Sequence, residues 1–429
     1  MSKILLKNGR VIDPETNYDA PADVLIHNGI IEKIGTGLQA EGAEIIDVAG
    51  KVVAPGLIDM HTHLREPGQE AKEDFVSGSA AAAAGGFTTI ATMPNTRPVV
   101  DDAALVRSLQ KRAEEKAIVH IEIIGALTKG QKGEELAEVG DMAEVGAVAF
   151  SDDGHYVASS KVMLNGLDYL RTFDKIIIQH AEEPSLVEDG IMNEGHRSAM
   201  LGMKGRPTVA EDIAVARDIL LAEYADAAVH IAHISSGRSV ELVREAKARG
   251  LRVTAEATPH HLTMTDEEVD FSDSSTKVNP PLRAQKDVEA LQQGLLDGTI
   301  DIVATDHSPH AFEDKDREYM YAPSGFPGLE TAFGVLMTKL VKTGKIDLPT
   351  LLKRMTYAPA KLFNLPGGRL QEGKPADIVV LDTDETWTVK AEEFYTRGSH
   401  SPYIGQTLTG RAKLTIVDGK IAMRDGKII

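Results

Sequence analysis

The sequence predicts an α/β fold, a parallel (β/α)8 barrel with a small β-sandwich built from the N- and C-terminal segments. Three observations carry this reading. Strand-like and helix-like stretches alternate from Gly56 onward, as a parallel barrel with right-handed crossovers requires. Five of the strand-like runs end in a His or Asp, at Gly56–His63, Asp152/Asp153 (AVAFSDD), His180 (KIIIQH), His233 (AVHIAH) and Asp306 (DIVATD). Both chain ends are rich in short β stretches and turn signals, and neither is long enough to bury a core alone.

In order along the chain, Ile4–Ile12, Asp23–Ile26, Ile30–Ile34 and Ile45–Val48 read as strands, with hairpin turns expected at Asn8-Gly9 and Asn28-Gly29. Barrel strands are expected at Leu57–His63, Thr88–Met93, Val119–Ile124, Ala147–Ser151, Lys175–His180, Ala228–Ile234, Leu251–Glu256 and Ile300–Asp306. Helices between them fall at Phe75–Ala84, Asp102–Lys116, Glu134–Val145, Ser160–Thr172, Val209–Ala225, Gly237–Arg249 and Gln285–Leu296. The Ala80–Gly86 run reads as a helix ending at a Gly cap. Two further helices, Leu329–Lys342 and Leu348–Met355, precede a β tail of Ala376–Leu381, Ala412–Val417 and Lys420–Met423, with turns at Pro366-Gly367-Gly368 and Asp418-Gly419. The expected domains are residues 1–54 with 365–429 for the sandwich and 55–364 for the barrel.

Composition narrows the function. The 429 residues are 42% hydrophobic and 26% charged, which is ordinary globular usage. A formal charge of −19 disfavours nucleic acid and anionic membranes, both of which call for a basic face. There is no Cys, so disulfides and thiolate metal sites are excluded. The N-terminal MSKILLKNGRVIDPE has no sustained apolar core, and no run approaches the ~18–20 apolar residues of a membrane span. A cytoplasmic protein is the expectation.

His61 and His63 are two apart on a strand, so both leave the same face and can share one metal. His180 and His233 end later strands and supply two more imidazoles. Alone, each is more readily a hydrogen-bonded core histidine; the set is far more specific than its members. A carboxylate at Asp152-Asp153 can bridge two cations, or cap an acidic turn. Asp306 can ligate and exchange protons with the reacting water. Four His, two or three carboxylates and no thiolate suit a hydrolytic site holding one or two divalent metals, zinc first among them. Arg65 beside such cations calls for an anionic substrate group, and Asn95 and His310 can complete a carboxylate pocket. The long charged segment Ala311–Gly325 adjoins the site and reads as a candidate lid.

The motifs DMHTHLREPGQEAKEDF at Asp59–Phe75, AAAAGGFTTIATMPNT at Ala81–Thr96 and VATDHSPH at Val303–His310 resemble the amidohydrolase superfamily and, within it, dihydroorotases of the longer bacterial type. The resemblance spans essentially the whole chain, including PGLID, the Asp153 turn, the PHHL segment at Pro259–Leu262 and GKPADIVVLD at Gly373–Asp382. It implies reversible cyclisation of N-carbamoyl-L-aspartate to L-dihydroorotate and water in pyrimidine synthesis. It implies one or two zinc ions per subunit, with two expected. His61, His63 and Asp306 would hold the first, His180 and His233 the second, and Asp153 would bridge, with Asp152 behind it. Asp306 would be the catalytic acid/base. Arg65, Asn95 and His310 would bind the substrate carboxylate, with His63, Asn279, Ser324 and Gly325 contacting substrate. Where relatives often carry Phe-Gly, this chain has Ser324-Gly325, which leaves backbone contacts there as the expectation. His261 and His307 are left as structural. A homodimer and an association with aspartate transcarbamoylase also follow from the resemblance. Two rivals remain: an allantoinase or dihydropyrimidinase-like hydrolase, whose usual carboxylated Lys has no counterpart in FSDDG, and an inactive scaffold for the transcarbamoylase.

Overall fold

The computed structural model describes residues 3–429; Met1 and Ser2, part of the segment read above for a signal peptide, lie outside the described residues. The barrel starts with Leu57–Thr62, Phe87–Thr92 and His120–Ile123 in parallel. Phe150 continues the ring alone, bridging Gly125 and Ile177. Ile177–Gln179, Val229–Ile231, Val253–Ala257 and Ile302–Val303 follow, and a parallel bridge from Thr62 to His307 closes the circle. All eight expected strand positions are therefore occupied. The fourth shrinks to a bridge: toward the fifth strand only Phe150 pairs, its N–H donating to Ile176 O and its carbonyl accepting from Ile178 N–H. Ile58, Ala91, Ile124, Ala149, Ile178 and Ile302 fill the barrel floor, so the rim stands on a packed core.

The strands of the two chain ends join in one nine-stranded sheet with its own apolar cluster around Leu6, Val24, Ile31, Val53, Ile378 and Ile416. A strand the sequence reading passed over, Val52–Pro55, makes the connection: it pairs in parallel with Arg10 and Val11 and antiparallel with Ile378–Leu381. Asn28-Gly29 turns the expected hairpin, with φ of 53° and 82°. Asn8-Gly9 does not. It forms a bulge in a continuous strand Lys3–Asp13, where the Asn8 N–H donates to Asp23 and its side-chain amide to Asp47.

The helix after the first strand runs Phe75–Gly85, capped by Asp74 and ended by Gly86 at φ 90°. The third expected helix is cut to Val139–Glu144, since Leu136 and Ala137 spend their backbone on the loop after the third strand. The helix expected from Leu329 begins at Ala332 and loosens into a π turn at Met337–Val341. Among the described residues no helix is long and apolar enough to cross a membrane.

Gly56, at the entry to the first barrel strand, is required by close approach: a Cβ there would sit 2.1 Å from Thr88 Oγ1 and 2.6 Å from Thr88 Cβ. Gly56→Ala is expected to destabilise the fold by about 1–3 kcal/mol, the usual effect of overpacking, read as a lower denaturant midpoint.

Candidate metal centre

The C-terminal ends of the barrel strands surround a cavity of about 230 Å³ lined by His63, Arg65, Asn95, Asp153, His180, His233, Asn279, Asp306, His310, Ser324 and Gly325. His61 lies just beneath it, fully buried. The residues nominated as ligands and substrate contacts therefore converge on one place, and Asp152 does not line it.

Asp153 is the hub. Its Oδ1 lies 3.4 Å from His61 Nε2, 3.4 Å from His233 Nε2 and 3.6 Å from His180 Nδ1, while its Oδ2 lies 3.5 Å from His63 Nε2. Asp306 Oδ1 approaches His63 Nε2 to 3.0 Å and His61 Nε2 to 3.6 Å. His180 Nδ1 and His233 Nε2 stand 2.9 Å apart. Burial by itself would raise the Asp153 carboxyl; the facing imidazoles of His61, His180 and His233 outweigh it and hold it well below the usual carboxylate range.

These atoms fit a cation better than they fit each other. His61 Nε2 and Asp153 Oδ1 are buried, face one another and have no hydrogen-bond partner. A buried polar group left unsatisfied costs about 1–3 kcal/mol, which ligation of a shared cation would relieve. Two triads have ligand atoms close enough for one ion: His61, His63 and Asp306, and His61, Asp153 and His233. The remote nitrogens fix the imidazoles. His61 Nδ1–H donates to Glu256 at 2.5 Å, and His63 Nδ1–H to Asn95 Oδ1 at 3.0 Å, so both turn Nε2 to the centre.

Three site residues hold left-handed backbones, Arg65 at φ 61°, His233 at 28° and Asp306 at 49°. Such conformations cost on the order of 1–3 kcal/mol each and are sustained by the surrounding hydrogen bonds. The Arg65 guanidinium is buried, donating from Nη2 to Ser308 Oγ at 2.7 Å and from Nε to Pro309 O at 3.2 Å. Burial brings it down to about 10, which leaves it a cation. His310 Nε2–H donates to Ser324 O at 2.8 Å. Burial, then the Arg65 and Lys72 charges, push that imidazole down to about 2, so it is neutral. Gly325 closes this wall at φ 111°, and a Cβ there would lie 2.6 Å from the Ser308 side chain. Gly325→Ala is expected to displace Ser308 and, through it, Arg65. Strain of about 1–3 kcal/mol should appear as a lower melting temperature together with a raised KM.

Known proteins are similar to this chain. A family model described as dihydro-orotase-like matches residues 50–239, and an amidohydrolase family model matches 323–423. A dihydroorotase of Syntrophus aciditrophicus is 48% identical over 99% of this chain and 100% of its own length. One of Pelotomaculum thermopropionicum is 50% identical over 99% of both. The chain belongs to the dihydroorotase family. An L-hydantoinase (dihydropyrimidinase) structure from Arthrobacter aurescens, 27% identical, superposes with a TM-score of 0.90 over 100% of this chain and 98% of that one. A D-hydantoinase from Thermus sp., also 27% identical, gives 0.84. The (β/α)8 barrel with an attached β-sandwich is shared across this wider group.

Several residues of this dihydroorotase-family chain do other work than expected, or were missed. Asp152 turns away from the imidazoles and accepts from Leu127 N, Thr128 N and the Thr128 hydroxyl, anchoring the loop after the third strand. His307 accepts from Gly328 N and faces Glu73, and His261 lies between Thr258 and Pro280 O. Asn279 reaches the cavity, but its Oδ1 accepts from Arg206 at 2.5 Å, and Arg206 also pairs with Glu182. Glu256, Glu182 and Arg206 were missed. Glu256 alone carried a signal, since it too ends an expected barrel strand in an acidic side chain. The segment Ala311–Gly325 is held by two buried lysines: Lys277 donates to Tyr319 O and Met320 O, and Lys315, within the segment, to Ser274 O and Pro323 O.

Proposed function

We propose that the chain is a zinc-dependent dihydroorotase that interconverts N-carbamoyl-L-aspartate with L-dihydroorotate and water in pyrimidine synthesis. The observation that carries the reading is the buried Arg65 fork beside four imidazoles and two carboxylates in one cavity, in a chain about half identical to dihydroorotases along its full length. His61, His63 and Asp306 would hold one cation and His180 and His233 another, with Asp153 between them. Bound there, the cations would polarise the ring amide carbonyl and acidify the attacking water.

The remaining chemistry belongs to the side chains. Burial would raise the Asp306 carboxyl, but its hydrogen bond to His63 and the charge of His61 bring it below the ordinary value, so it rests as a carboxylate. In ring opening Asp306 takes the proton of the attacking water and returns it to the departing ring nitrogen; in ring closure the same group begins protonated. Arg65 receives the substrate carboxylate, with Asn95 and the neutral His310 completing that end. Asn279 and the Ser324-Gly325 backbone face the ring amide. The Ala311–Gly325 segment covers the bound ring.

Arg65→Lys is expected to raise KM about 10- to 100-fold, since a charge-assisted hydrogen bond is worth about 1.5–3 kcal/mol and a point ammonium cannot reproduce the fork. Steady-state kinetics check this, and an unchanged KM would remove Arg65 from the pocket. The reading also includes a cytoplasmic homodimer able to associate with an aspartate transcarbamoylase, testable by sedimentation of the two proteins alone and mixed. The deciding experiment follows dihydroorotate ultraviolet absorbance with purified, metal-analysed protein beside allantoin and dihydrouracil. Chelator-sensitive opening of dihydroorotate alone is expected. Turnover of either other ring instead would replace the substrate assignment, and bound metal without turnover of any ring would favour the scaffold role.

A further inference from the structure

The seventh barrel strand, Val253–Ala257, carries a carboxylate that no step above uses. Glu256 has no exposed surface and accepts hydrogen bonds from three histidines. His61 Nδ1–H reaches its Oε1 at 2.5 Å, the backbone N–H of His233 reaches the same oxygen at 3.2 Å, and His230 Nε2–H reaches Oε2 at 3.1 Å. His230 is itself fixed by a hydrogen bond between its Nδ1 and the Thr254 hydroxyl at 2.8 Å and by edge-on packing against Phe363. The carboxylate is thus held from one side and holds from the other.

In the ligand sets proposed above, the two histidines it holds serve different cations. His61 groups with His63 and Asp306 and also, across Asp153, with His233, which stands 2.9 Å from His180. His233 keeps its left-handed backbone, φ 28°, with its N–H bonded to Glu256. Apart from Asp153, which lies between them, the other partners of these imidazoles among the described residues serve one side: Asn95 meets His63, and Glu182 meets His180.

We infer that Glu256 is a positioning residue for both cation positions at once, a role that rests on the metal reading above. A carboxylate is required because it only accepts hydrogen bonds. It keeps the His61 proton on Nδ1 and leaves Nε2 free to ligate, while its bond to the His233 backbone keeps that Nε2 aimed at Asp153. A glutamine in its place fills the same volume but has one acceptor oxygen, so it turns an NH2 either to His61 Nδ1, which drives the ring proton to Nε2 and blocks ligation, or to His230 Nε2, which breaks the bond that anchors it.

The test titrates metal-free wild type, Glu256→Gln, Glu256→Asp and Glu182→Gln with Zn2+ in competition with a chromophoric chelator. Circular dichroism and melting of the metal-free proteins report folding separately. Glu256→Gln is expected to lose about 10–100-fold in affinity at both equivalents, as for other partners of ligating histidines, and Glu182→Gln at one equivalent only. Glu256→Asp keeps an accept-only group and should bind more tightly than Glu256→Gln, although it shortens the side chain. A mere packing role predicts the opposite order. The inference is overturned if Glu256→Gln binds both equivalents like wild type, loses only one, or outbinds Glu256→Asp. Should Glu256→Gln fail to fold, the Asp variant decides, by retaining or losing both equivalents together as against only one. Wild type that binds no zinc would instead sink the metal reading.

Discussion

Asp306→Asn is expected to retain its metal and lose about 10²–10⁴-fold in kcat, the range a positioned general acid/base contributes. The substitution keeps an oxygen at the position 3.0 Å from His63 Nε2, so ligation has a donor. It removes the capacity proposed for Asp306, which is to take a proton and give it back. The local geometry should survive, because the left-handed backbone at Asp306, φ 49°, is favoured by Asn as readily as by Asp. Metal analysis and steady-state kinetics on the same preparation check the result in both directions. Substantial turnover in a metal-replete variant would move the proton-transfer role elsewhere.

Removal of metal by a chelator is expected to bring ring opening to background and to lower the melting temperature, with both restored by Zn2+. The stability effect follows from mass action: a ligand held only by the folded state adds about 4 kcal/mol when present at a thousand times its dissociation constant. It also follows from the site itself, since His61 Nε2 and Asp153 Oδ1 are buried against each other without a hydrogen bond. Calorimetric melting with and without added Zn2+ reads this independently of catalysis. Equal melting temperatures and unchanged turnover in demonstrably metal-free protein would remove the cations from the proposal.

The site was legible where chemistry and local pattern coincide. The His61-x-His63 spacing, the strand ends at His180, His233 and Asp306, and the unusual Arg65 can all be read from neighbours along the chain, and all line or adjoin one cavity. Asp152 and Asp153 show the limit. Two adjacent acids look alike in sequence, yet Asp152 is consumed by the loop at Thr128 while Asp153 gathers the imidazoles. Asn8-Gly9 shows the same limit in the fold: its local turn propensity was overridden by Asp23 and Asp47, which made it a bulge.

Strand and helix periodicity and residue chemistry act over a few positions, which is why the barrel and the candidate donors could be read from the chain. How those donors are aimed depends on contacts between distant segments. Glu256 reaches His61 across 195 residues of chain, and Glu182 meets Arg206 and Asn279 from separate segments. Arg65 holds a left-handed backbone against its local preference, and His233 and Asp306 hold theirs within the same ring of contacts. Hydrogen bonds and strain of this kind exist only once distant strands have closed into a ring, so their partners leave no mark on the residues around them.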